Sequence, residues 1–255
     1  MVTEDRVKSG IKGLDGLIEG GFPRKSITLI SGPPGTGKSL LCLQYLYYGA
    51  THGEPGMYVT SEQSKEDLIS NAGKIGLNLK PLVEKGKLVI WQENLNSTEQ
   101  AMVTADSLID AVKDELKRIK AKRLVVDSLS SLINIFTLGH IGKDADSNTV
   151  KIGNTKLIPI VIDEQPIVRS IVWDIIDGLR TTGCTCLVTS ELLQGQQGFS
   201  RDTISEFEAD GVVMLQGELI GKELNRSLRV VKMRQTAMNG GRHEFTITGE
   251  GIAVR

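Results

Sequence analysis

Short apolar runs of β type recur at Ser26–Ser31, Met57–Thr60, Leu88–Trp91, Arg123–Val126 and Thr185–Thr189, and longer helix-compatible stretches separate most of them. Such alternation predicts a parallel sheet with helices on both faces. Between Thr98 and Lys120 the residues Met102, Ala105, Leu108, Val112, Leu116 and Ile119 recur every three or four positions, with Asp and Lys between them. That spacing predicts one long amphipathic helix. After Asp210 the helical period stops, and Val212–Leu215, Ser227–Met233 and Glu244–Thr248, separated by Gly-rich turns, read as consecutive short strands extending the sheet's edge. The expected fold class is α/β, a mostly parallel central sheet with antiparallel C-terminal edge strands. Residues 138–166 have no clear period, two prolines (Pro159 and Pro166) and an apolar patch at Leu157–Ile162, so an inserted loop or hairpin is expected there. With no repeat, linker or low-complexity tract, residues 1–255 are expected to form a single domain.

Composition narrows the classes. The chain has 255 residues, 40% of them hydrophobic and 24% charged, which excludes a disordered chain. Thirty Lys and Arg stand against 31 Asp and Glu, leaving a formal charge of −1. No global basic field exists to hold nucleic acid or an anionic membrane, so any such contact would be local. Cys42, Cys184 and Cys186 are too few for a disulfide framework or a four-ligand zinc site, and His52, His140 and His243 show no ligand spacing. The Cys184-Thr185-Cys186 alternation reads as core packing in a buried strand. The start, MVTEDRVKSG, carries acids and has no apolar core, and no run reaches the ~18 apolar residues of a membrane helix. A cytoplasmic chain that neither enters a membrane nor is secreted is expected.

The clearest chemistry lies in Gly32-Pro33-Pro34-Gly35-Thr36-Gly37-Lys38-Ser39, which fits G-x-x-x-x-G-K-[ST] and stands between the apolar strand Ile27–Ile30 and the helical pattern beginning at Leu40. Glycines allow successive backbone N–H groups to turn around a phosphate, and the opening of a helix adds the positive end of its dipole. Lys38 is expected to reach the β- and γ-phosphates of ATP. The Ser39 hydroxyl suits Mg²⁺, a cation that prefers hard oxygen ligands.

Three further signals are open to more than one reading. Arg123-Leu124-Val125-Val126-Asp127 is an apolar strand ending in a carboxylate, which suits the second anchor of a nucleotide-bound metal, although Asp127 could equally cap a following helix. Glu62, after the strand Met57–Thr60, could orient or deprotonate an attacking water, or could be a solvated turn residue before a helix capped at Ser64. In Ser227–Arg234, period-two alternation puts Lys232 and Arg234 on one face and Val231 and Met233 on the other. Paired cations suggest an anion, and their late position suggests a neighbouring subunit's nucleotide. A basic edge strand that prevents aggregation is the plainer reading.

Together these residues resemble the RecA superfamily of P-loop NTPases and, within it, the KaiC-like single-domain ATPases. The resemblance covers nearly the whole chain. Ser9-Gly10-Ile11-Lys12-Gly13-Leu14-Asp15 followed by Gly20-Gly21-Phe22-Pro23 matches the family's SGIxxLDxxxxGGxP opening, and YVTSEQ, LVVDSLSSL, LVTSELL, EFEADGVVML and RSLRVVKMR…HEFTITGEGI follow in the family's order. The resemblance implies a hexameric or otherwise ring-forming RecA-like fold with ATP or ADP and Mg²⁺ held between subunits. It makes Glu62 the catalytic glutamate, Lys232 and Arg234 the trans-acting fingers, Asp127 and Ser39 the metal anchors, and Ser190 with Glu191 the sensor pair. Residues Gly32 to Leu40 would hold the nucleotide.

The chain departs from the family pattern in places. Gln63 stands where many members carry a second glutamate. Lys232-Met233-Arg234-Gln235-Thr236-Ala237-Met238 lacks the glycine and histidine of KMRGxxH. Clock members have two RecA domains and adjacent Ser/Thr phosphosites, whereas the matching stretch here is Ser205-Glu206-Phe207-Glu208, so autokinase function is not implied.

The expected activity is Mg²⁺-dependent hydrolysis of ATP in a self-assembled ring acting as a conformational switch or assembly factor, with an unidentified protein partner. The alternatives are a recombinase-like DNA binder and an ATP-binding module without turnover. Axis-facing loops near Leu138–Gln165 and Leu193–Ile204 would carry DNA. There Lys143, Lys151 and Lys156 are offset by Asp144, Asp146, Asp163 and Glu164, Arg201 is matched by Asp202, and only Phe199 could stack on a base. That balance argues against nucleic acid.

Overall fold

The computed structural model describes residues 5–92, 105–144, 149–152, 155–159, 165–193 and 198–255, with side chains in those ranges except at 138–159 and 220. In chain order the elements are β1 (Arg6–Val7), α1 (Leu14–Leu17), β2 (Phe22–Pro23), β3 (Ile27–Gly32), α2 (Lys38–Thr51), β4 (Gly56–Thr60), α3 (Lys65–Lys74), α4 (Lys80–Glu84) and β5 (Leu88–Gln92). They continue with α5 (Ala105–Ile119), β6 (Arg123–Asp127), α6 (Leu129–Asp144), β7 (Thr149–Ile152), β8 (Thr155–Pro159), α7 (Gln165–Thr181), β9 (Thr185–Glu191) and α8 (Ser205–Glu208). The last four are β10 (Gly211–Ile220), β11 (Glu223–Met233), β12 (Arg242–Thr248) and β13 (Gly251–Val254).

Among the described residues, nine strands form one sheet in the order β13-β12-β11-β10-β3-β9-β6-β4-β5. The six from β10 to β5 run parallel, and β11, β12 and β13 add antiparallel pairs. This is the expected α/β architecture, with the first C-terminal strand joining the parallel part beside β3. Side-chain alternation along the strands explains why both faces are covered. Tyr58, Val125, Leu187 and Val213 join the core that contains Leu41, Tyr45 and Leu46 of α2. Met57, Val59, Leu124, Val126 and Val188 join the opposite core with α5, α6 and α7. Each fully buried aliphatic side chain contributes about 2 kcal/mol relative to exposure, so a strand whose two faces are both apolar can exist only in the centre of this sandwich.

The amphipathic period holds in α5, where Leu108, Val112, Leu116 and Ile119 are buried; residues 98–104 of the expected helix lie outside the described residues. Two stretches differ from expectation. The chain does not leave helix at Leu138 but stays in α6 to Asp144, and β7 and β8 then pair antiparallel as a hairpin. In β11 a register shift opposite Val212 and Val213 breaks the alternation: Val230 and Met233 enter the α2-side core, while Val231 packs against the other. The expectation that Val231 and Met233 share a face is thereby corrected, because a bulge inserts one residue into the two-residue period. Of the patch Leu157–Ile162, residues 160–162 lie outside the described residues, as do the side chains of Leu157–Pro159, Lys143, Lys151 and Lys156. No described helix is long and apolar enough to cross a membrane.

Candidate nucleotide site

All six parallel strands end on one side of the sheet, and an open cleft of about 300 Å³ lies at that edge, lined by the Pro34–Leu40 loop, Glu62, Gln63, Asp127, Glu191, Arg226 and Ile247. The loop from β3 to α2 is shaped by its glycines. A Cβ at Gly32 would stand 2.3 Å from the Leu215 carbonyl oxygen of the adjacent strand, and Gly37 caps α2 in the left-handed region at φ 105°. Thr36 Oγ1 donates to the Pro33 carbonyl at 2.8 Å and braces the turn. The N–H groups of Lys38, Ser39 and Leu40 lie in the first turn of α2, where no intrahelical acceptor exists.

Lys38 is 7% exposed, and its ammonium donates to the Gly32 and Pro33 carbonyls at 2.8 and 3.0 Å. Burial lowers its pKa below the ordinary lysine value, and Glu191, Asp127 and Glu62 oppose that shift. Three carboxylates thus face one buried cation at the mouth of the loop.

Asp127 ends β6, between β4 and β9, on the α2 side of the sheet. Tyr58 Oη of β4 donates to its Oδ2, and Thr189 Oγ1 of β9 donates to its Oδ1. Glu62 follows β4, where Thr60 Oγ1 accepts from the Glu62 and Gln63 N–H groups at 3.2 and 3.3 Å. Its carboxylate accepts hydrogen bonds from the Ser128 and Ser131 hydroxyls, just beyond Asp127. The cap of α3 is supplied by Ser64, which accepts from Asp67 N–H at 3.1 Å. Glu62 therefore has no capping task, and it is tethered beside Asp127 rather than left loose in the turn.

The other expected residues lie elsewhere. Ser190 is fully buried, bonded to Ser130 Oγ at 3.0 Å and accepting from Arg201 N–H at 3.0 Å; its neighbour Glu191 lines the cleft instead. Lys232 Nζ donates to the Glu206, Phe207 and Ala209 carbonyls at 3.1, 3.1 and 2.6 Å, and Arg234 pairs with Asp210 at 3.0 Å. Both cations gather at the end of α8, away from the loop of their own chain. β11 is not an edge strand, since β12 pairs with it over Arg226–Arg229. Phe199, the one aromatic of the loop considered for base stacking, packs against the apolar core.

Sequence reasoning missed Arg226. It stands opposite Gly217 on β10, three residues past Met214, which pairs with Ser31 of β3, so the register carries it above the loop. Its Nε is buried with no hydrogen-bond partner among the described residues. A count of the β10–β11 hairpin register would have found it. The glycine turn, the free helix N-terminus, this orphaned guanidinium nitrogen and the hard oxygens of Ser39 and Asp127 together fit a nucleotide's phosphates with Mg²⁺.

Comparison with known proteins agrees with this chemistry. The family model described as "ATPase: KaiC" matches residues 7–141 and 135–255. The chain is 32% identical over 259 residues to a UPF0273 protein of Pyrococcus horikoshii, covering 98% of this chain and 93% of that one. It is 30% identical over 253 residues to the circadian clock oscillator protein KaiC of a Picosynechococcus strain, 98% of this chain but only 44% of the clock protein. The chain thus spans less than half the length of that relative. Among solved structures, a KaiC-like protein of Pyrococcus horikoshii OT3 superposes with a TM-score of 0.76 at 31% identity, covering 98% of this chain and 99% of that one. A RecA-like sheet carrying a glycine-rich phosphate loop, matched end to end by these relatives, identifies the chain as a member of the KaiC ATPase family.

Proposed function

We propose that this chain hydrolyses ATP to ADP and phosphate with Mg²⁺, at sites completed by a neighbouring copy in a homo-hexameric ring, as a cytoplasmic conformational switch or assembly ATPase. Gly32 to Leu40 cradle the phosphates and Lys38 neutralises the terminal ones. Glu62 accepts the proton of a water attacking the γ-phosphorus as the bond to the ADP oxygen breaks. Arg226 contributes a charge from the same chain. Ser39 and Asp127 would hold Mg²⁺, which when bound neutralises charge on the β- and γ-phosphate oxygens.

The observation that carries the inter-subunit part is the register. Lys232 lies opposite Val212, which lies opposite Leu29, so Lys232 sits two strands across from β3 and three residues short of Gly32. At about 3.3 Å per residue and 4.8 Å per strand that is a separation of about 14 Å. An extended lysine side chain, five bonds of about 1.5 Å, reaches only about 6 Å. Lys232 and Arg234 are thus too far to serve their own loop, and in this reading they exchange their bonds at the end of α8 for a neighbour's phosphates on assembly. The three buried free thiols of Cys42, Cys184 and Cys186 fit a reducing compartment.

Phosphate release by the purified chain, with Lys38→Ala and Glu62→Gln variants and light scattering with and without ATP, tests the reading. Glu62→Gln is expected to retain nucleotide and lose turnover by about 10²-fold or more. Unchanged turnover would reject Glu62, and turnover by a monomer would reject the ring.

A further inference from the structure

The hydroxyl of Tyr58 has no place in the reading above, yet it sits against its metal anchor. Tyr58 is fully buried in the middle of β4, surrounded by the aliphatic core beneath α2. A phenol in such a place needs a hydrogen-bond partner, and this one donates to Oδ2 of Asp127. From the opposite strand, Thr189, also fully buried, donates to Oδ1. The order β9-β6-β4 makes this possible: Asp127 stands in the central strand of three, and period-two alternation turns Thr189, Asp127 and Tyr58 to the same face. Each carboxylate oxygen thus has one lone pair engaged from its own side and one left open. The carboxylate cannot rotate without breaking a buried bond.

We propose that Tyr58 and Thr189 are positioning residues that clamp the Asp127 carboxylate in the orientation a divalent cation requires, and so set the affinity of the site for Mg²⁺. The clamp rests on the reading of Asp127 as a metal anchor. Neither residue touches phosphate or water in the reaction. Their contribution is preorganisation: a hard cation with strict octahedral demands binds a fixed carboxylate more tightly than one that must first be immobilised. Second-layer hydrogen bonds of this kind change metal affinity by about 10- to 100-fold when removed.

The test is Mn²⁺ binding followed by electron paramagnetic resonance on the full chain with ADP, together with ADP affinity in EDTA. Tyr58→Phe keeps the ring in the core and removes only the hydroxyl, and Thr189→Val removes the opposite donor. The Mn²⁺ dissociation constant is expected to rise about 10- to 100-fold in either variant, with metal-free ADP affinity unchanged. A residue needed only for packing would not produce that split. Should one variant fail to fold, the other carries the same prediction. Mn²⁺ affinity equal to wild type in a folded variant, while Asp127→Asn loses the ion, would overturn the clamp and leave the metal anchor standing. If Asp127→Asn itself binds Mn²⁺ like wild type, both readings fall.

Discussion

Mixing two inactive variants separates residues that act on their own chain's nucleotide from residues that act on a neighbour's. Lys38→Ala removes the cation of the phosphate loop, and Arg234→Ala removes one held at the end of α8, one residue past the strand whose Lys232 lies about 14 Å from Gly32 by register. Each alone should lower phosphate release by about 10³-fold or more, the usual effect of losing a cation that stabilises phosphoryl transfer. In a head-to-tail ring every site takes its loop from one copy and its donated arginine from the next. In an equal, randomly assorted mixture, half the loops keep Lys38 and half of their neighbours keep Arg234. The mixture should therefore recover about one quarter of wild-type turnover, whatever the number of subunits in the ring. If both residues served their own chain, every site would lack one of them and the mixture would be as inactive as its parts. The assay is phosphate release after the variants, carrying different affinity tags, are mixed and shown by sequential purification to share rings. Shared rings without recovered turnover would refute the inter-subunit assignment of Arg234.

Other consequences follow from single residues. Burial lowers the Lys38 pKa, so Lys38 remains charged only below that lowered value, and affinity for Mg-ATP should fall as pH rises through a point below the ordinary lysine value of about 10.4. Between the two values the unfolded chain binds more protons, so the stability cost of burying Lys38 lessens with rising pH; isothermal titration and denaturant unfolding across that range check both signs, and an affinity flat up to the ordinary value would contradict them. Arg123, 1% exposed at the head of β6, pairs with Glu54 at 2.5 Å and lies over the Tyr45 ring at 4.5 Å. Glu54→Ala takes the carboxylate from that buried guanidinium and leaves it the Lys8 and Tyr45 carbonyls, which should cost about 3 kcal/mol, a fall in Tm of about 6 to 12 °C, whereas a loss under about 1 kcal/mol would mean the pair behaves as a surface one.

The sheet was legible in the sequence because its central strands are buried on both faces and therefore apolar throughout, as in Ile27–Ile30 and Leu124–Val126. The phosphate loop was legible because its chemistry is local: turn, cradle and cation follow one another in eight residues. What escaped was whatever depends on pairing. Arg226 reaches the cleft only through the register of a long hairpin, and the bulge at Val231 exists only relative to β10. The extension of α6 to Asp144 escaped for another reason. Leu129, Leu132, Ile133 and Phe136 are buried at the three- and four-residue spacing of a helix, but the last turns read Gly139-His140-Ile141-Gly142-Lys143-Asp144, where two glycines and a single apolar residue carry no period to announce them. The family resemblance implied Ser190 and Glu191 as a sensor pair; alternation separates them, turning the Ser190 hydroxyl toward Ser130 and leaving Glu191 to line the cleft.

Calorimetric titration of ATP into the purified chain, with and without Mg²⁺, examines the central claim most directly. Saturable heat that strengthens with Mg²⁺ and disappears in Lys38→Ala is the expected result. A wild-type chain that takes up no ATP, or a Lys38→Ala chain that binds it equally well, would contradict it.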